Sequence, residues 1–216
     1  SYGVDSGADI NLLGLIKRVH SLPGLDRIRL SSLEPTFMTK EAVREIAQLE
    51  KVCRHFHLSL QSGCDETLKR MGRKYTTGEY REIVERLMEK LPGVAVTTDV
   101  MVGFPGETRE EFEKTYRFLQ SLGLYNMHVF KFSPRKGTPA ARMPQVRGPE
   151  IRERAARLRA LGHEVLGRHL VAQVGQTHRV LTEGPRVGRT EQFTEVAFAA
   201  DQPEGAIREI RIAGQD

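Results

Sequence analysis

HFHLSLQSGCDETLKRMGRKY, residues 55–75, decides the fold of this chain. Its first half alternates, with Phe56, Leu58 and Leu60 on one face and His57, Ser59 and Gln61 on the other, the period of a strand. Such a strand turns its apolar side to a core and its polar side to something wet. Gln61-Ser62-Gly63 breaks it, and Asp65–Met71 follows as a short helix that stops near Gly72. Asp99 and the turn Gly103-Phe104-Pro105-Gly106-Glu107-Thr108 point back to the same place.

Outward from this stretch the same alternation of strand and helix repeats. Residues 9–20 have helical apolar spacing, Ser21–Leu25 supplies a Pro-Gly turn, and Arg27–Ser32 reads as a short strand stopped by Pro35. Thr39 is the expected N-cap of a helix to Lys51 that buries Ala42, Val43, Ile46 and Leu49. Downstream, Thr76 and Glu79 form a capping box before a helix burying Ile83, Val84, Leu87 and Met88. Val94–Val102 is β-branched and carries Ala95, Thr97, Asp99 and Met101 on one parity. Thr108 and Glu111 form a second capping box, with Phe112, Tyr116 and Leu119 lining the next helix, and Tyr125–Ser133 is the following strand. About four strand–helix units predict an α/β domain with a parallel sheet, open or barrel-like.

After residue 132 the character changes. Ser133–Pro149, rich in Pro, Gly and basic residues, reads as a surface loop or linker. Glu150 to about Leu170 reads as a helix with Ile151, Ala155, Leu158 and Leu161 on one side and Arg152, Arg154 and Arg159 elsewhere. From Gln173, short runs at His178–Leu181, Thr194–Ala197 and Ile207–Ile212 between Gly and Pro predict a small all-β module.

The chain has 216 residues and a net charge of +5, enough length to bury a core. No apolar run approaches the roughly 20 residues of a membrane span, so the expectation is a cytoplasmic protein. Residues 131–190 hold 13 Lys and Arg against 4 Asp and Glu. That excess suits a polyanion, or simply a solvated helix face. Cys53 and Cys64 match no disulfide scaffold and no zinc or iron–sulfur spacing, and read as packing residues.

In parallel α/β folds, ligands sit at the carboxyl ends of the strands, and the unusual residues collect there. Gln61 offers both donor and acceptor to a ribose or base, Asp99 accepts from hydroxyls or an ammonium group, and Arg73 can reach a carboxylate. Gly103 and Gly106 allow close backbone approach to a ligand, or serve only the turn geometry. His57 is either a ligand contact or a hydrogen-bonded structural histidine. From spacing alone this is a polar small-molecule site.

The strings SSLEP (31–35), HLSLQSGCDETLKRMGRKYT (57–76), TDVMVGFPGET (98–108) and FSPRKGTPAARM (132–143) resemble the methylthiotransferase branch of the radical S-adenosylmethionine enzymes. SLQSGCDETLKRMGRKYT and SSLEP are most similar to the members that methylthiolate N6-threonylcarbamoyladenosine at position 37 of the tRNA anticodon loop. Sibling branches act on isopentenyladenosine in tRNA or on a ribosomal protein. The resemblance implies a partial TIM-like barrel over residues 1–147, a linker helix at 148–170, and a TRAM-like RNA-binding β domain at 171–216. It implies S-adenosylmethionine and [4Fe–4S] clusters as cofactors and tRNA as partner. Residue by residue, Gln61, Arg73 and Asp99 match positions that contact S-adenosylmethionine, Ser32 matches a fourth although alternation favours Ser31 as the inward residue, and Gly103 to Glu107 match the family's glycine motif.

One departure is large. The Cys-x3-Cys-x2-Cys that holds the radical cluster in such enzymes is absent here. Tyr2-Gly3-x-Asp5 resembles the end of the family's second-strand loop, so the expectation is a C-terminal fragment that is inactive alone. The competing expectation is a non-catalytic RNA-binding protein built on a decayed barrel.

Overall fold

The computed structural model describes residues 11–215. The start of the first expected helix and Tyr2-Gly3-x-Asp5 lie outside them. In chain order the elements are α1 (Leu12–His20), α2 (Lys40–Ile46), β1 (His55–His57), α3 (Asp65–Arg70), α4 (Thr77–Lys90), β2 (Ala95–Val102), α5 (Arg109–Ser121), β3 (Asn126–Lys131), α6 (Gly148–Gln173), and then β4 (Thr177–Gly184), β5 (Val187–Arg189), β6 (Glu195–Ala197) and β7 (Ile207–Arg211).

β1, β2 and β3 form a parallel sheet in that order. The expected strand at Arg27–Ser32 is not continuous. Within it only Ile28 is bridged, to Val52 just before β1, and Leu33 just beyond it bridges Leu58, with Leu33 N–H donating to His57 O at 2.9 Å. β1 is also short. Beyond it, Thr98 takes over the ladder from inside: its hydroxyl donates to Leu58 O at 2.6 Å and accepts from Leu60 N–H at 3.0 Å.

Phe56, Leu58 and Leu60 lie in a core shared with Val43, Ile46, Tyr80, Leu87, Phe112, Leu119 and Leu158. The helices therefore cover the apolar face, and the opposite face carries the polar parity of each strand. Thr39 caps α2 by accepting from Ala42 N–H, though α2 ends at Ile46, short of Lys51. Both expected capping boxes form, Thr76 with Glu79 and Thr108 with Glu111. Met88 departs from expectation: it is 37% exposed, because the buried side of α4 is set by Tyr80, Ile83, Val84 and Leu87.

α6 runs antiparallel to the strands, with Ile151 against Gly103 at one end and Gly162 against Met127 further along. Arg154, expected away from the core, is buried. It lies four residues before Leu158 and seven before Leu161, on the face α6 presents to the sheet, and there it meets Glu107.

The second sheet is antiparallel, in the order β6-β5-β4-β7. It includes Val187–Arg189, a strand too short to stand out in the sequence. Its β5–β6 end meets the amino-terminal ends of the parallel strands. Arg27 donates to Arg189 O and Arg179 O, Arg29 to Glu191 O, and Gln192 to Gly93 O. The Tyr125 hydroxyl meets Thr194 Oγ1 at 2.8 Å.

Candidate functional site

The polar face of the parallel sheet is a connected row of side chains. Strand register puts His57 beside Thr97 and Asp99 beside His128. His57 Nδ1 is 3.0 Å from Thr97 Oγ1 and its Nε2 is 3.1 Å from Asp99 Oδ2. Ser59 Oγ donates to the same Asp99 oxygen at 3.3 Å, and Thr97 Oγ1 is 3.3 Å from His55 Nε2. His57 is thus hydrogen-bonded on both ring nitrogens, and Asp99 serves side chains rather than a backbone turn. Burial pushes the His55 imidazole down to about 4, so it is neutral near pH 7.

At the carboxyl end of this row the chain bends sharply. Gln61 adopts φ 70°, one of two non-glycine residues with positive φ among those described. Its N–H donates to Asp99 O at 2.8 Å and its carbonyl accepts from Met101 N–H at 2.9 Å, so both sides of the residue are pinned. The Tyr75 hydroxyl reaches back to Ser59 O at 2.7 Å and Leu60 O at 3.0 Å. Non-glycine residues held in this region cost on the order of 1–2 kcal/mol, and such strain collects at functional sites. Gly63 has a packing reason, since a Cβ there would lie 2.9 Å from Phe118 and from the Thr115 backbone.

Gln61 and Asp99 are therefore adjacent. Arg73 ion-pairs with Glu34, just beyond Leu33, at 3.1 Å, and among the described residues no hydrogen bond or ion pair joins it to Gln61 or Asp99. Ser31 and Ser32 both line a cavity on the polar face together with His57, so the structure does not separate them. Gly103 has φ +73° and a Cβ there would sit 2.5 Å from Ile151, so its lack of a side chain is required by α6. Its N–H is taken by Glu107 Oε1 at 3.1 Å. Glu107 in turn pairs with Arg154 at 2.6 Å. Burial raises the Glu107 carboxyl pKa even though Gly103 N–H and Arg154 favour its charge. Gly106, at φ +76°, donates to Pro144 O at 3.1 Å and closes the turn against the 133–147 loop.

The parity of β3 adds three residues that sequence reading passed over: Asn126, His128 and Phe130. Asn126 and His128 line the cavity with His57. Phe130 pairs in register with Met101 and is 52% exposed. Once β3 is aligned with β2 their alternation is legible.

The donor set at the rim fits S-adenosylmethionine: a carboxylate for ribose hydroxyls or an ammonium group, a guanidinium for a carboxylate, and a pinned turn with an amide side chain. It does not fit an iron–sulfur cluster. Cys53 and Cys64 are buried and unpaired, and burial pushes both thiols up, away from the thiolate that ligation needs. Among the described residues no group of three His, Cys, Asp or Glu is arranged to hold a metal ion.

The structure is an α/β fold with a parallel sheet in the sequential order β1-β2-β3, helices on its apolar face and a row of polar side chains on the other, Asp99 lying within β2 rather than at its end. Residues 2–119 match the Radical SAM superfamily, and the chain belongs to that superfamily. It is 41% identical over 140 residues to a threonylcarbamoyladenosine tRNA methylthiotransferase MtaB of Thermotoga maritima, covering 65% of this chain and 32% of the relative. It is 40% identical over 210 residues to a tRNA-2-methylthio-N(6)-dimethylallyladenosine synthase of Moorella thermoacetica, covering 94% and 47%. The chain thus spans less than half the length of these curated relatives. In fold it is similar to coproporphyrinogen III oxidase (HemN) from Escherichia coli, with a TM-score of 0.58, 13% identity, and coverage of 89% of this chain and 46% of that one.

Proposed function

We propose that this chain is the cofactor-side portion of a radical S-adenosylmethionine tRNA methylthiotransferase, and that the natural protein methylthiolates C2 of N6-threonylcarbamoyladenosine at position 37 of tRNA. One observation carries the reading: Gln61 and Asp99 are joined by a backbone hydrogen bond beside the polar face of the parallel sheet, in a chain about 40% identical to two tRNA methylthiotransferases.

In this reading Asp99 and Gln61 hold the ribose or the methionyl ammonium group, Arg73 exchanges Glu34 for the methionyl carboxylate, and Ser32 lies at the edge of the same site. Bound S-adenosylmethionine, with a [4Fe–4S] cluster, supplies radical and methyl-transfer chemistry. Cys53 and Cys64, buried and unpaired, do not supply ligands for that cluster. Residues 171–216 form the TRAM-like RNA-binding domain.

The charge distribution supports an RNA partner more narrowly than the composition does. Much of the basic excess in 131–190 is neutralised: Arg154, Arg157, Arg168, Arg179, Arg186 and Arg189 each pair with a carboxylate. Lys131, Arg135, Lys136, Arg152 and Arg159 are exposed and have no carboxylate partner among the described residues. The first three flank the carboxyl rim, where an RNA phosphate would be met.

A dimethylallyladenosine substrate is the second reading, favoured by the relative that matches over 210 residues. Mass spectrometry of tRNA nucleosides from a strain lacking the gene separates them. The proposal expects loss of the 2-methylthio form of threonylcarbamoyladenosine and accumulation of its unthiolated precursor. Persistence of that form, with loss of the dimethylallyl counterpart, selects the second reading. Persistence of both rejects methylthiotransfer.

A further inference from the structure

Between the polar face of the parallel sheet and the β5–β6 loop lies a cavity of about 530 Å³, lined in part by Arg29, Ser32, His57, Asn126, His128 and Phe193. Its volume is within the range of small-molecule pockets. It begins one side chain below the proposed cofactor rim, since His57 is itself bonded to Asp99. Arg29 lies three residues before Ser32, about 10 Å along extended backbone.

Arg29 and Arg27 both meet backbone carbonyls of this seam rather than a carboxylate, and of the two only Arg29 lines the cavity. The Arg29 guanidinium stacks on the Phe193 ring at 4.3 Å and its Nη2 donates to Glu191 O at 3.2 Å and Thr190 O at 3.5 Å. These carbonyl oxygens engage Nη2 only and do not neutralise the charge, and among the described residues Arg29 has no carboxylate partner. Arg189, also against Phe193 at 4.9 Å, is paired with Glu183 and Glu195. Glu195 lines the cavity too, but its carboxylate is engaged by Arg189 at 2.9 Å. Phe193 holds this arrangement from a strained position, at φ 71°. Partial desolvation lowers the Arg29 pKa.

We propose that Arg29 is a specificity residue that receives the carboxylate of the threonylcarbamoyl group, while the adenine that bears it occupies the cavity beneath the cofactor rim. The inference rests on the substrate reading given above. The Nη1 and Nε groups, which make no hydrogen bond among the described residues, can donate to a carboxylate, whereas a dimethylallyl group offers the guanidinium no acceptor.

The test is equilibrium binding of the full natural protein to anticodon stem-loop RNAs that differ only at the target adenine: threonylcarbamoyl, dimethylallyl or unmodified. The wild type is expected to prefer the threonylcarbamoyl RNA over the unmodified one by on the order of 10- to 100-fold, the worth of a charge-assisted contact. Arg29→Gln should abolish that preference, weakening binding of the threonylcarbamoyl RNA more than that of the unmodified RNA, and Arg29→Lys should restore part of it. Arg27→Gln is the control, because Arg27 ties the same seam through Arg179 O and Arg189 O without lining the cavity. A threonylcarbamoyl preference that survives Arg29→Gln overturns the inference and leaves the substrate reading standing. A preference lost equally in Arg27→Gln overturns it too, by assigning the effect to the seam. A wild type that prefers the dimethylallyl RNA, or shows no preference, fails the substrate reading itself.

Discussion

At the scale of single residues, the backbone at Gln61 separates conformation from chemistry. Gln61→Gly should leave thermal stability unchanged or raised, because glycine carries no penalty at φ 70°, yet should weaken S-adenosylmethionine binding through loss of the amide. Gln61→Val should cost about 1–2 kcal/mol in denaturant unfolding. A valine variant as stable as wild type would contradict the strain. Arg154 tests the other buried feature. Arg154→Leu leaves Glu107 enclosed without its cation and should cost about 3–5 kcal/mol, whereas pairing it with Glu107→Leu should recover most of that loss in urea titrations. The polar parity of residues 57, 59 and 61 could be read from the sequence because strand alternation is local. Arg154 could not: an arginine on a helix scores as solvated until a buried carboxylate from a distant loop is known to face it.

Among the elements, the helix starts were the most legible part, since a capping box states its own boundary within four residues. Glu111 does more than cap. One of its oxygens accepts from Thr108 N–H at 3.0 Å, and its carboxylate grips Arg70 of α3 through both oxygens, at 2.8 and 2.5 Å. Thr108→Ala should cost about 1 kcal/mol. Glu111→Ala should cost more than Glu79→Ala, because Glu79 serves only its own box; equal losses in chemical denaturation would show that the α3–α5 tie adds nothing. Strands were read less well where pairing is intermittent. Arg27–Ser32 has strand composition but one bridge, at Ile28, with the next at Leu33 beyond it, so its alternation breaks, and with it the choice between Ser31 and Ser32. Val187–Arg189 is defined by its neighbours rather than by its own three residues.

For the whole molecule, the seam between the two sheets was invisible in sequence: Arg27 meets Arg189 across 162 residues with no periodic signal to announce it. It also carries a pH dependence. His55 lies near Phe193, His169 packs on Tyr125 at 4.0 Å, and burial holds both imidazoles at about 4. In the unfolded chain they bind protons near pH 6.5, so unfolding takes up protons between about 6.5 and 4 and stability falls as pH drops through that window. The melting temperature should decline over this range, and replacing both histidines with glutamine should flatten the decline. In the proposed function the Asp99 carboxylate, on the polar face of the parallel sheet, binds S-adenosylmethionine. Equilibrium titration of the full natural protein with S-adenosylmethionine tests it most directly. Asp99→Ala should weaken binding at least about tenfold, the loss of one charge-assisted contact. An unchanged affinity in a correctly folded Asp99→Ala protein would contradict the assignment of this face as the cofactor site.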